Sequence, residues 1–199
     1  MNAGRNGYLA ALAGSRICHD LVGPLGAIGN GVELLALAGA RGEEMDLIAE
    51  AVSSAHARLR FFRIAYGTAE AGQTIPRGEV IQTLATVSRG GRVSFLWAVD
   101  DDCPREEVRA VFLALQCLET ALPHGGEVQV SRIGTQWTVT GESPRLQVDD
   151  GLWSLIEGSH RRPALTPAQV QFALLPAALA GLGRKATLAR LDGQLAMQF

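Results

Sequence analysis

Among the four histidines of the chain, His19 has neighbours that suit it to covalent chemistry. A neutral imidazole nitrogen is a good nucleophile near neutral pH, and the ring keeps a second nitrogen for an orienting partner. Asp20 is the expected partner, placed to stabilise positive charge on the ring when the other nitrogen is modified. Adjacent residues on a helix do not point at one another, so this contact requires a bent side chain or acts only through the carboxylate's field. Placed on a helix, His19 shares its face with Ser15, Arg16, Gly23, Gly26 and Asn30. That face is bare. Gly23, Gly26, Gly29 and Gly31 in one helix each cost roughly 1 kcal/mol relative to alanine, and clearance for an incoming backbone beside the imidazole is a physical reason to keep them. Pro24 removes one helical hydrogen bond and is expected to bend the helix near the site.

The element that must carry His19 is legible from its apolar spacing. Cys18, Leu21, Leu25, Ile28, Val32 and Leu35 step by alternating threes and fours, a heptad seam. His19 lies one position past this seam, at its edge, where a rigid helix can still leave the ring open to solvent. The run Ala38-Gly39-Ala40-Arg41-Gly42 reads as a helix end and turn. A second helix follows from about Glu43 to Tyr66. Two such helices bury only part of their apolar surface against each other, so pairing with a second copy into a four-helix bundle is the economical solution.

Gly67 to Pro76 reads as a linker, dividing the chain into residues 1–70 and 71–199. Beyond it the pattern predicts a helix over Arg77–Ser88, a strand over Arg92–Val99, a helix over Arg105–Leu122 and strands over Glu127–Ile133 and Gln136–Gly141. Pro167 sits at a helix start, and that helix crosses Pro176 on its way to Ala180. A hairpin turning at Asp192-Gly193 closes the chain. The fold class is α+β, with helices on one face of a single sheet.

Composition narrows the function. In 199 residues, 47% are hydrophobic and 19% charged, which describes a folded chain. A net charge of −2 argues against nucleic acid as the main partner. Cys18, Cys103 and Cys117 have neither disulfide-framework nor zinc-site spacing, so no metal is expected and reduced, buried thiols are. Without a signal-like N-terminal run or an apolar stretch long enough for a membrane span, a cytoplasmic protein is expected.

The segment Ser15-Arg-Ile-Cys-His-Asp-Leu-Val-Gly-Pro-Leu-Gly-Ala-Ile-Gly-Asn-Gly-Val-Glu-Leu-Leu35 resembles the phosphoacceptor box of histidine kinase dimerisation domains. It is closer still to ChpT-type histidine phosphotransferases of alphaproteobacteria. Arg58-Leu-Arg-Phe-Phe-Arg-Ile-Ala-Tyr-Gly67 and Ala121-Leu-Pro-His-Gly-Gly126 are similar to the same family, in the same order. The resemblance implies a dimerising helical hairpin followed by a degenerate, GHKL-like (Bergerat-type) kinase ATPase domain. It also implies that His19 takes a phosphoryl group from the receiver of a CckA-like hybrid kinase and passes it to CtrA-like or CpdR-like response regulators. Magnesium belongs to the partner's receiver, and no cofactor is expected on this chain.

ATP-dependent kinase chemistry is disfavoured. The only asparagines are Asn2, Asn6 and Asn30, none in the second half, and Val111 to Leu122 is largely apolar where metal-holding amides belong. Asp149-Asp150-Gly151-Leu-Trp153 is the nearest trace of an adenine pocket. Gly181-Leu-Gly183 falls at a helix end, where the dipole disfavours anions. Gly23 stands where related dephosphorylating kinases carry Thr or Asn, which weakens a phosphatase reading. The alternatives kept open are a non-catalytic dimer that sequesters receivers and a diverged ATP-dependent kinase. For partner docking the expected residues are Arg16, Val22, Gly23, Gly26, Arg58 and Arg63, with Arg60 beside them. His56, His124 and His160 read as surface histidines.

Overall fold

The computed structural model describes residues 2–38, 43–68, 72–89, 91–159 and 164–199. Two long helices, α1 (Asn2–Ala38) and α2 (Glu43–Tyr66), form an antiparallel hairpin. The turn expected at Gly39–Gly42 lies outside the described residues, as do residues 69–71 of the linker. Gly31 sits at a close contact between the two helices: a side chain there would run into Ile48. Along the heptad seam Leu21, Ile28 and Leu35 are half-buried, whereas Leu25 and Val32 stay open to solvent; the side chain of Cys18 lies outside the described residues.

The remaining elements are β1 (Thr74–Ile75), α3 (Arg77–Arg89), β2 (Val93–Ala98), β3 (Cys103–Pro104), α4 (Arg105–Ala121), β4 (Gly126–Ile133), β5 (Gln136–Glu142), α5 (Asp150–Ile156), α6 (Gln171–Gly181), β6 (Thr187–Leu191) and β7 (Gln194–Gln198). Five strands form one sheet in the order β2-β4-β5-β7-β6, with β2 parallel to β4 and all other neighbours antiparallel. Alternation along these strands puts one row of side chains on the core face: Trp97, Val130, Val139, Met197 and Leu188 are successive cross-strand partners.

Helix α4 lies over that row. Nearly every residue from Val108 to Leu118 is buried, so the central turns of this helix are enclosed between layers while its charged residues gather at the two ends. It comes close to the sheet at Gly141, where a Cβ would stand 3.1 Å from Leu122 and 3.3 Å from Leu118. Its outer side is covered by α2 and α6, with the Phe61 and Phe112 rings in tilted contact at 4.7 Å between centroids. The last turns of α2 therefore belong to the same core as the sheet.

Polar contacts fasten that junction. Arg105 donates to the carbonyls of Arg63 (2.8 Å) and Thr68 (3.1 Å), and Arg109 to that of Ala65 (3.3 Å). Both arginines thus satisfy carbonyls at the C-terminal end of α2, where the helix dipole also favours cations.

Some elements depart from the expectation. Helix α5 forms where only a nucleotide-pocket trace was read: Asp149 Oδ1 accepts from the amides of Gly151 (2.8 Å) and Leu152 (3.1 Å), so that acid caps a helix. Pro167 opens a single 3₁₀ turn, Pro167–Gln169, and α6 begins only at Gln171 before continuing through Pro176. The short ribbon β1–β3 has no periodicity to announce it. Gly183, at φ +68°, is the stop of α6: its amide donates to Ala180 and that of Arg184 to Leu179, closing the helix end. No described helix is long and apolar enough to cross a membrane.

Candidate functional site

His19 projects from α1 into solvent, with 85% of its side chain exposed, and Asp20 beside it is 11% exposed. The two do meet: His19 Nδ1 lies 2.9 Å from Asp20 Oδ1. The contact between sequence neighbours is possible because Asp20 is turned back along the helix and held there. Its second oxygen, Oδ2, accepts from Arg16 Nε at 2.7 Å, an i, i+4 pair on one face. An ionised carboxylate can only accept, so this contact selects the Nδ1–H form of the ring, the form that leaves the lone pair on Nε2.

Arg16 is itself mostly enclosed, at 17% exposure. Its Nη1 donates to Ala168 O, 3.2 Å away in the 3₁₀ turn before α6. Burial works against its charge, but Asp20 more than compensates, helped by Tyr66 and Glu119, so the guanidinium pKa rises. Arg16 therefore faces inward rather than lying on the open rim where docking was expected.

Ala168 O is shared. Gln171 Nε2 donates to it at 2.8 Å, and reaches on to Thr120 Oγ1 (3.2 Å) and Gln116 O (3.4 Å) on α4. Gln116 in turn accepts from the Tyr66 hydroxyl through Oε1. Burial pushes the Tyr66 pKa far up, so the hydroxyl stays a donor. An unbroken series of polar contacts thus runs from an exposed imidazole to the centre of the core.

The surroundings of His19 on α1 are open. A Cβ at Gly23, Gly26 or Gly29 would meet nothing within 4 Å, and Val22 is 67% exposed. One turn past His19, Gly23 and Pro24 form one wall of a groove of about 570 Å³, whose other walls come from α2 (Ser54, Arg58) and the end of α3 (Thr86, Arg89). Arg58 also lines the small cleft behind Asp20, with Phe61, Phe62 and Glu119. Crowding in that cleft raises the Glu119 pKa although its side chain still reaches solvent, and Arg16, Arg58 and Arg92 pull the other way.

His19, Asp20, Arg16, Val22, Gly23 and Gly26 thus follow one another along the middle of α1, and Arg58 of α2 joins Gly23 in the groove and Arg16 and Asp20 in the cleft. Arg63 is exposed but leans toward Glu79 on α3 at 3.6 Å, and Arg60 donates to Gln82 at 3.5 Å. His56 and His124 are exposed, and His160 lies outside the described residues. Cys103 and Cys117 are buried free thiols, and burial raises the pKa of both. The residues that sequence reasoning missed are Ala168 and Gln171, whose backbone and amide reach the site from far along the chain.

The fold of this chain is similar to that of a solved bacterial phosphotransferase. That structure matches with a TM-score of 0.77 at 29% identity, over 96% of this chain and 94% of its own. A family model for the histidine phosphotransferase C-terminal domain matches residues 72–193. Over 182 residues the chain is 34% identical to protein phosphotransferase ChpT of Brucella abortus (strain 2308), covering 87% of each. The chain belongs to the ChpT-type histidine phosphotransferase family.

Proposed function

We propose that this protein is a dimeric histidine phosphotransferase of a bacterial phosphorelay, with His19 as the phosphoacceptor. The observation that carries the reading is the geometry at His19: an exposed imidazole whose Nδ1 is held by Asp20 at 2.9 Å, leaving the lone pair on Nε2. In the forward step the Nε2 lone pair attacks the phosphorus of a receiver's aspartyl phosphate. The acyl phosphate P–O bond breaks, the receiver's carboxylate leaves with the electron pair, and the Nε2–P bond forms. Asp20 stabilises the positive charge then carried by the ring. A second receiver's aspartate reverses the sequence. Magnesium and most charge stabilisation come from the receiver; this chain supplies position.

The bare face over Gly23 and Gly26, the groove beside it, exposed Val22 and half-buried Arg58 support this part of the hairpin as the receiver's landing surface. Arg63 lies farther along α2 and is a weaker contributor. A receiver of a CckA-like hybrid kinase upstream and CtrA-like or CpdR-like regulators downstream fit the family reading. Exposed Leu25 and Val32 on α1, with Met45 and Leu59 on α2, leave an apolar stripe that a second copy would cover in a four-helix bundle. Residues 1–70 then form the dimerising and transferring unit. Residues 71–199 form a degenerate ATPase-like unit that supports it, and enclosure of α4 beneath α6 favours a packed layer over a nucleotide cleft.

The test is a two-step labelling experiment in the cytoplasm's reducing conditions. Radiolabelled ATP alone should leave the protein unlabelled. Addition of a purified, phosphorylated receiver domain from one of the host's hybrid kinases should label it, and His19→Ala should abolish the label. Direct labelling by ATP would instead make it a kinase, and receiver binding without label would make it a sequestering module.

A further inference from the structure

Arg16 is the least expected member of the site, because its type and position suggested a docking side chain and its environment is interior. It makes three commitments at once. Nε holds Asp20 Oδ2 at 2.7 Å, leaving Oδ1 to face the imidazole at 2.9 Å; Nη1 reaches Ala168 O at 3.2 Å; and the charge is retained in a largely enclosed place. The guanidinium fork is planar and rigid, so two bonds to groups on different elements fix its orientation. Ala168 O is fixed in turn by Gln171, which is fully buried and bonded to α4.

Without Arg16, the Asp20 carboxylate has no partner besides His19 among the contacts described, and rotation about its χ angles would swing it toward water. The imidazole would then lose the acceptor that selects its Nδ1–H form. An exposed ring free to adopt both tautomers presents Nε2 as nucleophile only part of the time.

We propose that Arg16 is a positioning residue for phosphoryl transfer, holding Asp20 against His19 Nδ1 and tying that pair to the second half of the chain through Ala168 O. The second half thereby takes part in aiming the nucleophile. This inference rests on His19 being the phosphoacceptor.

The test compares the full-length parent with Arg16→Ala, Arg16→Lys, Asp20→Ala and the Arg16→Ala/Asp20→Ala double variant. Single-turnover transfer from a phosphorylated receiver gives the rate, and titration with the unphosphorylated receiver gives its affinity. Misaimed nucleophiles lose about ten- to a hundredfold in rate, and Arg16→Ala is expected to do so with receiver affinity unchanged. Arg16→Lys should recover part of the loss, since one ammonium can hold Asp20 but not Ala168 O as well. In the Asp20→Ala background, removal of Arg16 should cost nothing further.

Nitrogen NMR of labelled histidine, which needs no phosphate donor, should show one dominant tautomer of His19 in the parent and a mixture in Arg16→Ala. Additive losses in the double variant, a loss confined to receiver affinity, or an unchanged tautomer would overturn the proposal. If Arg16→Ala does not fold, Arg16→Lys carries the same cycle, and full parental rate in it with an altered tautomer counts against the proposal. A parent protein that takes no label from any receiver sinks the phosphotransfer reading instead, a result distinguishable from parental labelling with an indifferent Arg16.

Discussion

The middle of α1 around His19 and the helix α4 make opposite uses of helical sequence. Helix α4 is buried on almost every side, and its residues touch α2, α6 and the sheet. Helix α1 carries four glycines between positions 23 and 31 and leaves Val22, three residues past His19, in solvent. One helix supplies cohesion and gives up surface. The other gives up propensity and packing so that its surface stays clear around a nucleophile. The difference teaches where each kind of substitution should register: in unfolding for α4, in transfer for α1.

The sharpest contrast comes from Phe112→Ala in α4. Phe112 is fully buried and packs its ring at a tilt against Phe61, and a deletion of this size costs about 3–5 kcal/mol. Denaturant unfolding should show that loss. A loss below about 1 kcal/mol would mean that the core collapses onto the gap, weakening the view of α4 as the rigid layer.

Gly26 tests the other half. Because a Cβ there meets nothing within 4 Å, Gly26→Ala should stabilise the protein by about 0.5–1 kcal/mol through helix propensity alone. Gly26→Trp should keep the fold and lose receiver-dependent labelling by loss of clearance. Stabilisation with undiminished labelling in the Trp variant would break the claim that this face is kept bare for a visitor.

The smallest effect concerns Glu119, which stands in the cleft between the two regions. Burial raises its pKa in the folded state, so the folded protein holds that proton more tightly than the unfolded chain. The corresponding stability is present below the ordinary glutamate range and is lost as pH rises through the raised value. Glu119→Gln should therefore be at least as stable as the parent at neutral pH and lose that advantage in acid. Thermal melts across this range check the sign.

Much of this architecture could be read from spacing. Steps of three and four residues located α1 and α2, alternation located β2, β4 and β5, and Asp192-Gly193 marked the final hairpin, with Gly193 at φ +70°. What escaped was local structure without a period. The two-residue strands are too short to carry one. Helix α5 is only seven residues long, although Asp149 ahead of Asp150-Gly151 is a legible cap.

At the site, His19 and Asp20 were visible as types, and the glycines as a bared face. Whether they touch is not decided by the sequence, because helical neighbours point apart; the bent side chain is realised with Arg16 anchoring the carboxylate. That anchor depends on a carbonyl 152 residues away, information that no local pattern contains.

The account turns on which imidazole nitrogen does the chemistry. Phosphorus and nitrogen NMR of the protein after labelling by a phosphorylated receiver should place the phosphoryl group on Nε2 of His19, with Nδ1 still protonated and bonded to Asp20. A phosphoryl group on Nδ1, or on any other residue, would contradict it.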